Sequence, residues 1–451
     1  MDPEKGLRIQ AHLPVTVDQP EIVTPAEPRA NSTLFLCNID QVSAFQVETI
    51  FFFSRHSEKE AENVDVILKE ALSKVLVPYY FMAGRLKLNE DEKRLEVVCN
   101  GAGVLFTGAK SELNISDLGD ITVPNLNFRN LILQINNAHS ISEIPLMTVQ
   151  VTRFNCGGFT LGLSMSHAMM DGISVTEFLK NYASFVRGEG LLTNPNPDRT
   201  MLKARLALQP GFYEEIMYRF APARSYNEQI ASQAENFDFP NNSAPSDHIY
   251  KIFPFSRSMI SALKHKVLQQ KRVSECSTFE VLAAHVWQVR TKSLYMEPDH
   301  PSPFFFVVDI RDKMIPPLSK DFTGNAVAVT ITSMTAKELC EGDLSCCVEK
   351  IQQAIKMITD EYVRSWTDWW EVNRTSQVRL GGFCVSAWWK MPFYDLDFGW
   401  GKPKYAGPIP NQLVYFVLFL SNGKEDGGLN IYLGLEPHQM ARFEQVIYSE
   451  L

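Results

Sequence analysis

Two residues of this chain combine types and spacing that could do chemistry. They are His167 and Asp171, with Gly172 directly behind them. Before them, residues 159 to 166 alternate apolar with small or polar side chains, a pattern that predicts a strand. After Gly172, apolar side chains recur at helical spacing as far as Val186. We therefore place His167 in a strand-to-helix turn, where a rigid frame can present a base to a substrate.

The imidazole of His167 has the basicity to take a proton from a hydroxyl or an amine near neutral pH. An isolated histidine is more commonly a surface residue or a satisfied core residue. The turn, and the Asp-Gly pair behind the histidine, favour the catalytic interpretation instead. A metal site needs more ligands, and no second histidine stands at metal-like spacing, so we expect no metal.

Two roles are open for Asp171. It could orient His167 in a catalytic dyad, or it could point away and pair with an arginine that fixes the turn. A four-residue gap inside a tight turn does not guarantee that the two side chains meet. We favour the structural role for this aspartate.

A second motif, Asp397-Phe398-Gly399-Trp400-Gly401, places two glycines around a tryptophan. Such a backbone can bend sharply or approach another segment closely, so we interpret the motif as a loop that locks one domain on the other. The chain has no Gly-x-Ser-x-Gly elbow and no Walker loop. We therefore expect direct transfer assisted by a base, without an acyl-enzyme.

Length and composition set the class of protein. A chain of 451 residues is too long to fold around one compact core, so its length predicts two domains of about 200 residues each. The net charge of -9 argues against binding nucleic acid. Eight cysteines without a Cys-x-x-Cys pair are typical of reduced thiols in a cytosolic protein. No signal-like or membrane-length apolar run occurs, so we expect a cytoplasmic protein without a transmembrane segment.

Strand and helix patterns alternate in both halves, which predicts an α/β protein with two mixed sheets flanked by helices. A stretch rich in Asn, Pro and Gly near residue 190 is typical of a connector. We predict an N-terminal domain at 1–190 that carries His167, a crossover connector at 191–215, and a C-terminal domain at 216–451 that carries the Asp397–Gly401 loop.

The two motifs together, His167-x-x-x-Asp171-Gly172 followed by Asp397–Gly401, resemble those of the plant BAHD acyltransferases. Four further stretches are similar to this family: residues 76–86, 150–159, 277–287 and 308–318. With the two motifs, the resemblance covers essentially the whole chain. The family's Tyr-Phe-Gly-Asn is replaced here by Phe322-Thr323-Gly324-Asn325, a departure whose effect is open.

The resemblance implies two chloramphenicol-acetyltransferase-like domains, with a channel at their interface that acyl-CoA and acceptor enter from opposite faces. His167 would be the general base, and its imidazolium would return the proton to the CoA thiolate. Ser386 and Trp388 are candidates for the oxyanion and acceptor pocket. Ser277 and Thr278 are candidates for contacts with CoA.

For the remaining motif residues, the resemblance implies structural roles. Asp171 should pair with an arginine, for which we choose Arg311. Asp397, Gly399, Trp400 and Gly401 should lie away from the chemistry and support domain packing. No tightly bound cofactor is implied, since acyl-CoA is a co-substrate, and we expect a monomer.

The tail of the chain resembles the hydroxycinnamoyl branch, which moves feruloyl, coumaroyl or caffeoyl groups to omega-hydroxy fatty acids and fatty alcohols for suberin and wax. Two other enzymatic functions are open: hydroxycinnamoyl transfer to shikimate or quinate, and N-acylation of a polyamine such as spermidine. A third possibility is a degenerate binding protein on the same fold, against which the intact His167 argues.

Overall fold

The computed structural model describes residues 13–56, 63–122, 125–135, 138, 140–220, 248–373, 382–409, 416–424, 426–449 and 451. The strands, β1 to β16 in chain order, are Thr16–Val17, Glu21–Val23, Ser32–Phe35, Gln46–Phe53, Arg85–Asn89, Arg94–Cys99, Val104–Ser111, Met147–Phe154, Phe159–Ser166, Ile249–Phe255, Pro301–Asp309, Val327–Thr335, Phe383–Ala387, Tyr405–Pro408, Phe416–Ser421 and Leu429–Leu435. The α-helices, α1 to α10, are Asn38–Val42, Val64–Val75, Gly172–Val186, Gly211–Phe220, Arg257–Gln269, Thr278–Ser293, Ala336–Glu341, Leu344–Met357, Asp360–Val372 and Pro437–Val446.

The first sheet has seven strands in the order β1-β7-β8-β9-β4-β14, with β2 also paired to β7. The apolar residues of strand β4 form a continuous run because both faces of the strand are buried. Phe51 and Phe53 pack into the core shared with helices α2 and α3, whereas Ile50 and Phe52 pack into a second core on the other face. A strand that is buried on both faces does not alternate apolar with polar residues.

The second sheet has six strands in the order β10-β16-β15-β13-β11-β12. Helices α5, α6, α8 and α10 cover one face, and their core includes the fully buried Trp287. Helix α6 begins at a capping box, in which the Ser277 hydroxyl accepts from the Glu280 amide at 3.2 Å. A separate three-stranded sheet has the order β3-β6-β5.

Strand β14 connects the two halves of the molecule. It follows the second-half strand β13 in sequence, yet it pairs antiparallel with β4 of the first sheet, from Tyr405 opposite Phe52 to Pro408 opposite Thr49. The α/β class with two mixed sheets is confirmed. The domain limits at residues 190 and 215 stay a prediction. No helix in the described ranges is long and apolar enough to cross a bilayer.

Candidate active site

His167 lies between the end of β9 and the start of α3. Its amide donates to the Phe45 carbonyl at 2.8 Å, and the two rings lie 5.1 Å apart. Asp171 is the N-cap of α3 and accepts from the Ser174 amide at 3.0 Å. Main-chain and capping bonds therefore hold both ends of the turn.

The His167 ring is partly exposed, but its Nδ1 atom is buried and has no hydrogen-bond partner among the described residues. Burial lowers the pKa of His167 below its ordinary value; its own main chain, Asp171, Asn325 and Asp40 act in the opposite direction. Because the pKa is lowered, the ring is neutral near pH 7 and keeps a lone pair that can accept a proton.

Asn325 is fully buried and lies against the turn. Its Nδ2 donates to the Asp40 carboxylate and to the His167 carbonyl, both at 2.8 Å. Both donor hydrogens are thereby used, and its Oδ1 is buried without a partner in the described part of the chain. An N–H at His167 Nδ1 and the carbonyl oxygen of Asn325 are complementary groups. Asn325 is thus a functional candidate to which the sequence analysis assigned no role, although it named the Phe322–Asn325 stretch.

A buried ion pair supports this arrangement. Arg199 Nε donates to Asp40 Oδ2 at 2.8 Å, and both side chains are 0% exposed. The same guanidinium donates through Nη2 to the Met169 carbonyl at 2.8 Å, two residues after His167. Asp40 and Arg199 were also missed, because neither stands in a recognisable motif and they are far apart in sequence.

Asp171 pairs with Arg311 through two hydrogen bonds of 2.9 Å, one to each carboxylate oxygen. The Ala326 amide also donates to Asp171 Oδ2 at 2.9 Å. Within the described ranges the hydrogen bonds of this carboxylate thus go to Arg311, Ser174 and Ala326, and none goes to the imidazole. The pair joins α3 in the first half of the chain to the segment around β11 and β12 in the second.

Ser386 and Trp388 lie at and just beyond the end of β13. Trp388 is half-buried, and its indole Nε1 donates to Ser386 Oγ at 3.1 Å. Three residues later, the end of the Met391 side chain lies 2.0 Å from where a Cβ on Gly172 would be. The Trp388 segment therefore touches the turn that carries His167, and Gly172 makes this approach possible.

Two groups of predicted residues lie elsewhere. Ser277 and Thr278 begin α6, where the Ser277 hydroxyl caps the helix. In the Asp397–Gly401 loop, Asp397 Oδ1 accepts from the amides of Gly399 and Gly401 at 2.6 and 3.0 Å. Trp400 packs edge-on against Phe159 in the core of the first sheet, with ring centroids 5.4 Å apart.

Comparison with known proteins identifies the family to which this chain belongs. Residues 13–450 match the model of the Transferase family. The chain is 37% identical to omega-hydroxypalmitate O-feruloyl transferase of Arabidopsis thaliana, over 98% of this chain and 94% of that protein. It is 32% identical to fatty alcohol:caffeoyl-CoA acyltransferase of the same plant, over 96% of this chain and 98% of the relative.

The fold is similar to the crystal structure of vinorine synthase, with a TM-score of 0.73 and 21% sequence identity, over 95% of this chain and 96% of that one. The family resemblance that the motifs indicated is confirmed. The chain belongs to the Transferase family and is an acyl-CoA-dependent acyltransferase of the BAHD type.

Proposed function

We propose that the protein transfers a hydroxycinnamoyl group (feruloyl, coumaroyl or caffeoyl) from CoA to the hydroxyl of an omega-hydroxy fatty acid or a fatty alcohol. The names of the two relatives support this donor and acceptor class. The observation that carries the chemistry is the partly exposed His167 ring, neutral near pH 7, on a turn held by residues from both halves of the chain.

In this mechanism Nε2 of His167 is the base, because Nδ1 is buried beside Asn325. Nε2 takes the proton of the acceptor hydroxyl as the hydroxyl oxygen attacks the thioester carbonyl carbon. The oxyanion that forms accepts a hydrogen bond from the Ser386 hydroxyl, whose oxygen is held in place by the Trp388 indole N–H. When the carbonyl re-forms, the C–S bond breaks, and the imidazolium gives its proton to the departing thiolate. No covalent acyl-enzyme is needed.

Asp171 does not take part in proton transfer in this proposal. Its two oxygens are occupied by Arg311 and by main-chain amides, so its role is to hold the turn. The Asp397–Gly401 loop has a structural role as well, since its aromatic side chains are buried in the first core. Ser277 and Thr278 remain candidates for CoA contacts at the start of α6.

The experiment is product analysis by mass spectrometry with feruloyl-CoA and four acceptors: omega-hydroxypalmitate, a long-chain alcohol, shikimate and spermidine. Release of the CoA thiol is measured in parallel. We expect esters of the first two acceptors. Preferential acylation of shikimate or spermidine would replace the proposed acceptor class, and no thiol release with any acceptor would favour the binding-protein alternative.

His167→Ala tests the base. Removal of a general base lowers kcat by at least about 10²-fold, and the melting temperature should stay near that of the wild type because the ring is partly exposed. The matched control is His438→Ala, which removes an exposed histidine on α10. Wild-type rates in the His167 variant would exclude the mechanism.

A further inference from the structure

The second sheet presents an apolar wall on the face opposite its helical core, at the end formed by β10, β16 and β15. Alternate residues of these strands point there, while their neighbours Val417, Phe419, Ile431 and Leu433 pack under the helices. Trp388 packs against this wall. Six side chains form it: Tyr250, Ile252, Phe416, Leu418, Leu420 and Tyr432.

Two tyrosines on this wall have unused hydroxyls. The rings of Tyr250 and Tyr432 are stacked, with centroids 5.8 Å apart and planes inclined by 17°. Both hydroxyl oxygens are buried, and neither has a hydrogen-bond partner in the ranges described. A buried polar group without a partner is destabilising, so the hydroxyls of this pair are candidates to bind a polar group of a ligand.

The position of Tyr250 depends on Gly434, which lies opposite it on β16. A Cβ at residue 434 would come within 2.3 Å of the Tyr250 ring, so glycine leaves the space in which this ring lies flat on the strand. Burial raises the pKa of Tyr432, with Tyr250 and Tyr405 adding to the shift, and burial also raises the pKa of Tyr250. Both phenols therefore stay protonated and can donate as well as accept.

We propose that Tyr432 and Tyr250 bind the phenolic hydroxyl of the acyl donor, which makes this wall the subsite for the aromatic ring of a hydroxycinnamoyl group. The inference rests on the proposed function. It makes the tyrosine pair a determinant of donor specificity, separate from the base and from the oxyanion donors.

The register of the sheet supports the placement. Tyr432, Leu418 and Ser386 lie opposite one another on three neighbouring strands. Neighbouring strands are about 4.8 Å apart, so Tyr432 is roughly 10 Å from Ser386 across the sheet. A hydroxycinnamoyl group is rigid and planar, with its carbonyl at one end and its hydroxyl at the other. With the carbonyl at Ser386 and Trp388, its ring lies over Leu418 and its hydroxyl points toward Tyr432.

The chemistry of the pair favours a neutral hydroxyl over a carboxylate. The described side chains that form this wall are all apolar or aromatic, and none of them is basic. A carboxylate buried at this point would lack a compensating cation. A phenol can accept from one tyrosine and donate to the other, and its ring can pack on the apolar row.

A narrow cleft next to the wall is the route by which, in this proposal, the acyl donor reaches the ring subsite. It lies between the two sheets and is lined by Trp388, Leu420 and Asn430 from the second half and by Tyr405 and Pro408 of β14. Leu420 pairs with Asn430, two residues along the strands from the pair of Leu418 and Tyr432. Both pairs therefore lie on the same face of the sheet. The cleft therefore adjoins the proposed ring subsite and the Trp388 indole.

The test compares p-coumaroyl-CoA with cinnamoyl-CoA, which lacks only the phenolic hydroxyl. Dissociation constants come from isothermal titration calorimetry, and KM values come from steady-state assays with omega-hydroxypalmitate. We expect the wild type to bind p-coumaroyl-CoA roughly tenfold more tightly, the worth of about one net hydrogen bond. Tyr432→Phe and Tyr250→Phe should each remove most of this preference and leave the binding of cinnamoyl-CoA unchanged.

The matched control is Tyr448→Phe, because the Tyr448 ring packs on Phe253 and Phe255 of the helical core, which belong to the opposite face of the sheet. This variant should keep the tenfold preference. The proposal is overturned if both tyrosine variants keep the preference, if they weaken the two donors equally, or if they change the KM of the acceptor instead. Binding is measured without turnover, so a wild type that binds both donors but forms no ester contradicts the proposed function and not the subsite.

Discussion

At the scale of single residues, the pKa of His167 is held between opposing influences. Burial lowers this pKa, while the nearby side chains of Asp171, Asn325 and Asp40 raise it. Asn325 is the member of this set that lies next to the ring without carrying a charge. Its amide is fixed by two hydrogen bonds of 2.8 Å, to Asp40 and to the His167 carbonyl. In the proposed mechanism, Asn325 is therefore a positioning residue that favours the Nδ1–H tautomer and leaves Nε2 as the base.

Asn325→Ala should move the acid limb of the pH profile of kcat/KM to lower pH. The base is active when neutral, so the rate falls as the pH drops through its pKa, which in the wild type is depressed below about 6.5. The Asn325 side chain raises that pKa, so its removal should lower the pKa of His167 further and shift the limb to lower pH. Asn422→Ala is the control, since it removes an amide that bonds Asp426 and not the turn. An acid limb that stays in place in Asn325→Ala would contradict the influence of Asn325 on the ring.

The sequence locates some of these residues better than others. The turn around His167 was predicted because alternation ends at Ser166 and helical spacing begins after Asp171, and the observed β9 and α3 have these limits. Asn325 and Arg199 could not be placed in the same way. Their contacts with the turn join residues more than 25 positions apart, and local periodicity carries no information about such contacts.

At the scale of secondary structure elements, Asp171 anchors the start of α3 to the second half of the chain. Asp171→Ala should lower the free energy of unfolding by about 3 kcal/mol, because it leaves the partly buried Arg311 guanidinium without its carboxylate and removes the helix cap. Urea denaturation measures the change. The control is Asp309→Ala, since Asp309 pairs with the same arginine at 3.1 Å but its side chain is 46% exposed. That variant should lose less than about 1 kcal/mol. Equal losses would count against the structural role of Asp171.

The contact between Gly172 and Met391 links α3 to the Trp388 segment. Gly172→Ala favours the helix by propensity, but its Cβ would overlap the end of the Met391 side chain. The end of the Met391 side chain must then turn aside, and we expect this shift to disturb Trp388, which packs on the same core. We expect kcat to fall roughly tenfold, since small displacements of catalytic groups cost rate steeply. Stopped assays of thiol release measure this loss.

The second variant in this test is Gly172→Ala combined with Met391→Ala. The shorter side chain makes room for the new Cβ, so the double variant should be more active than Gly172→Ala alone. Met391→Ala by itself gives the cost of truncation. If the double variant shows only the sum of the two single losses in activation free energy, the two residues act independently and the proposed coupling is wrong.

At the scale of the whole molecule, strand β14 of the second half of the chain joins the sheet of the first half, and the sequence did not predict this pairing. The presence of two mixed sheets could be predicted because strand and helix periods alternate throughout the chain. Strand β14 is only four residues long, Tyr-Ala-Gly-Pro, so it has no period to detect, and its partner β4 lies over 350 residues earlier. Pairings of this kind are determined by tertiary packing, which local patterns do not encode.

The Asp397–Gly401 loop precedes β14 and places it. Gly399 and Gly401 have φ values of 92° and 85°, a region that other residues adopt only with strain. Asp397 holds this conformation by accepting from both glycine amides. Asp397→Ala should therefore lower the free energy of unfolding by about 2 kcal/mol, through the loss of two hydrogen bonds to a charged group. It should leave kcat at 20 °C, a temperature well below unfolding, within about twofold of the wild type, because the loop does not contact the reacting groups in the proposed mechanism.

Asp395→Ala is the matched control for this prediction. Asp395 lies two residues earlier and pairs with Lys402, but both side chains are about two-thirds exposed. Exposed pairs contribute little, so this variant should lose no more than about 0.5 kcal/mol. Differential scanning calorimetry separates the two outcomes. If Asp397→Ala were as stable as Asp395→Ala, or if it lost activity without losing stability, the loop would serve the reaction directly and not the joining of the two halves.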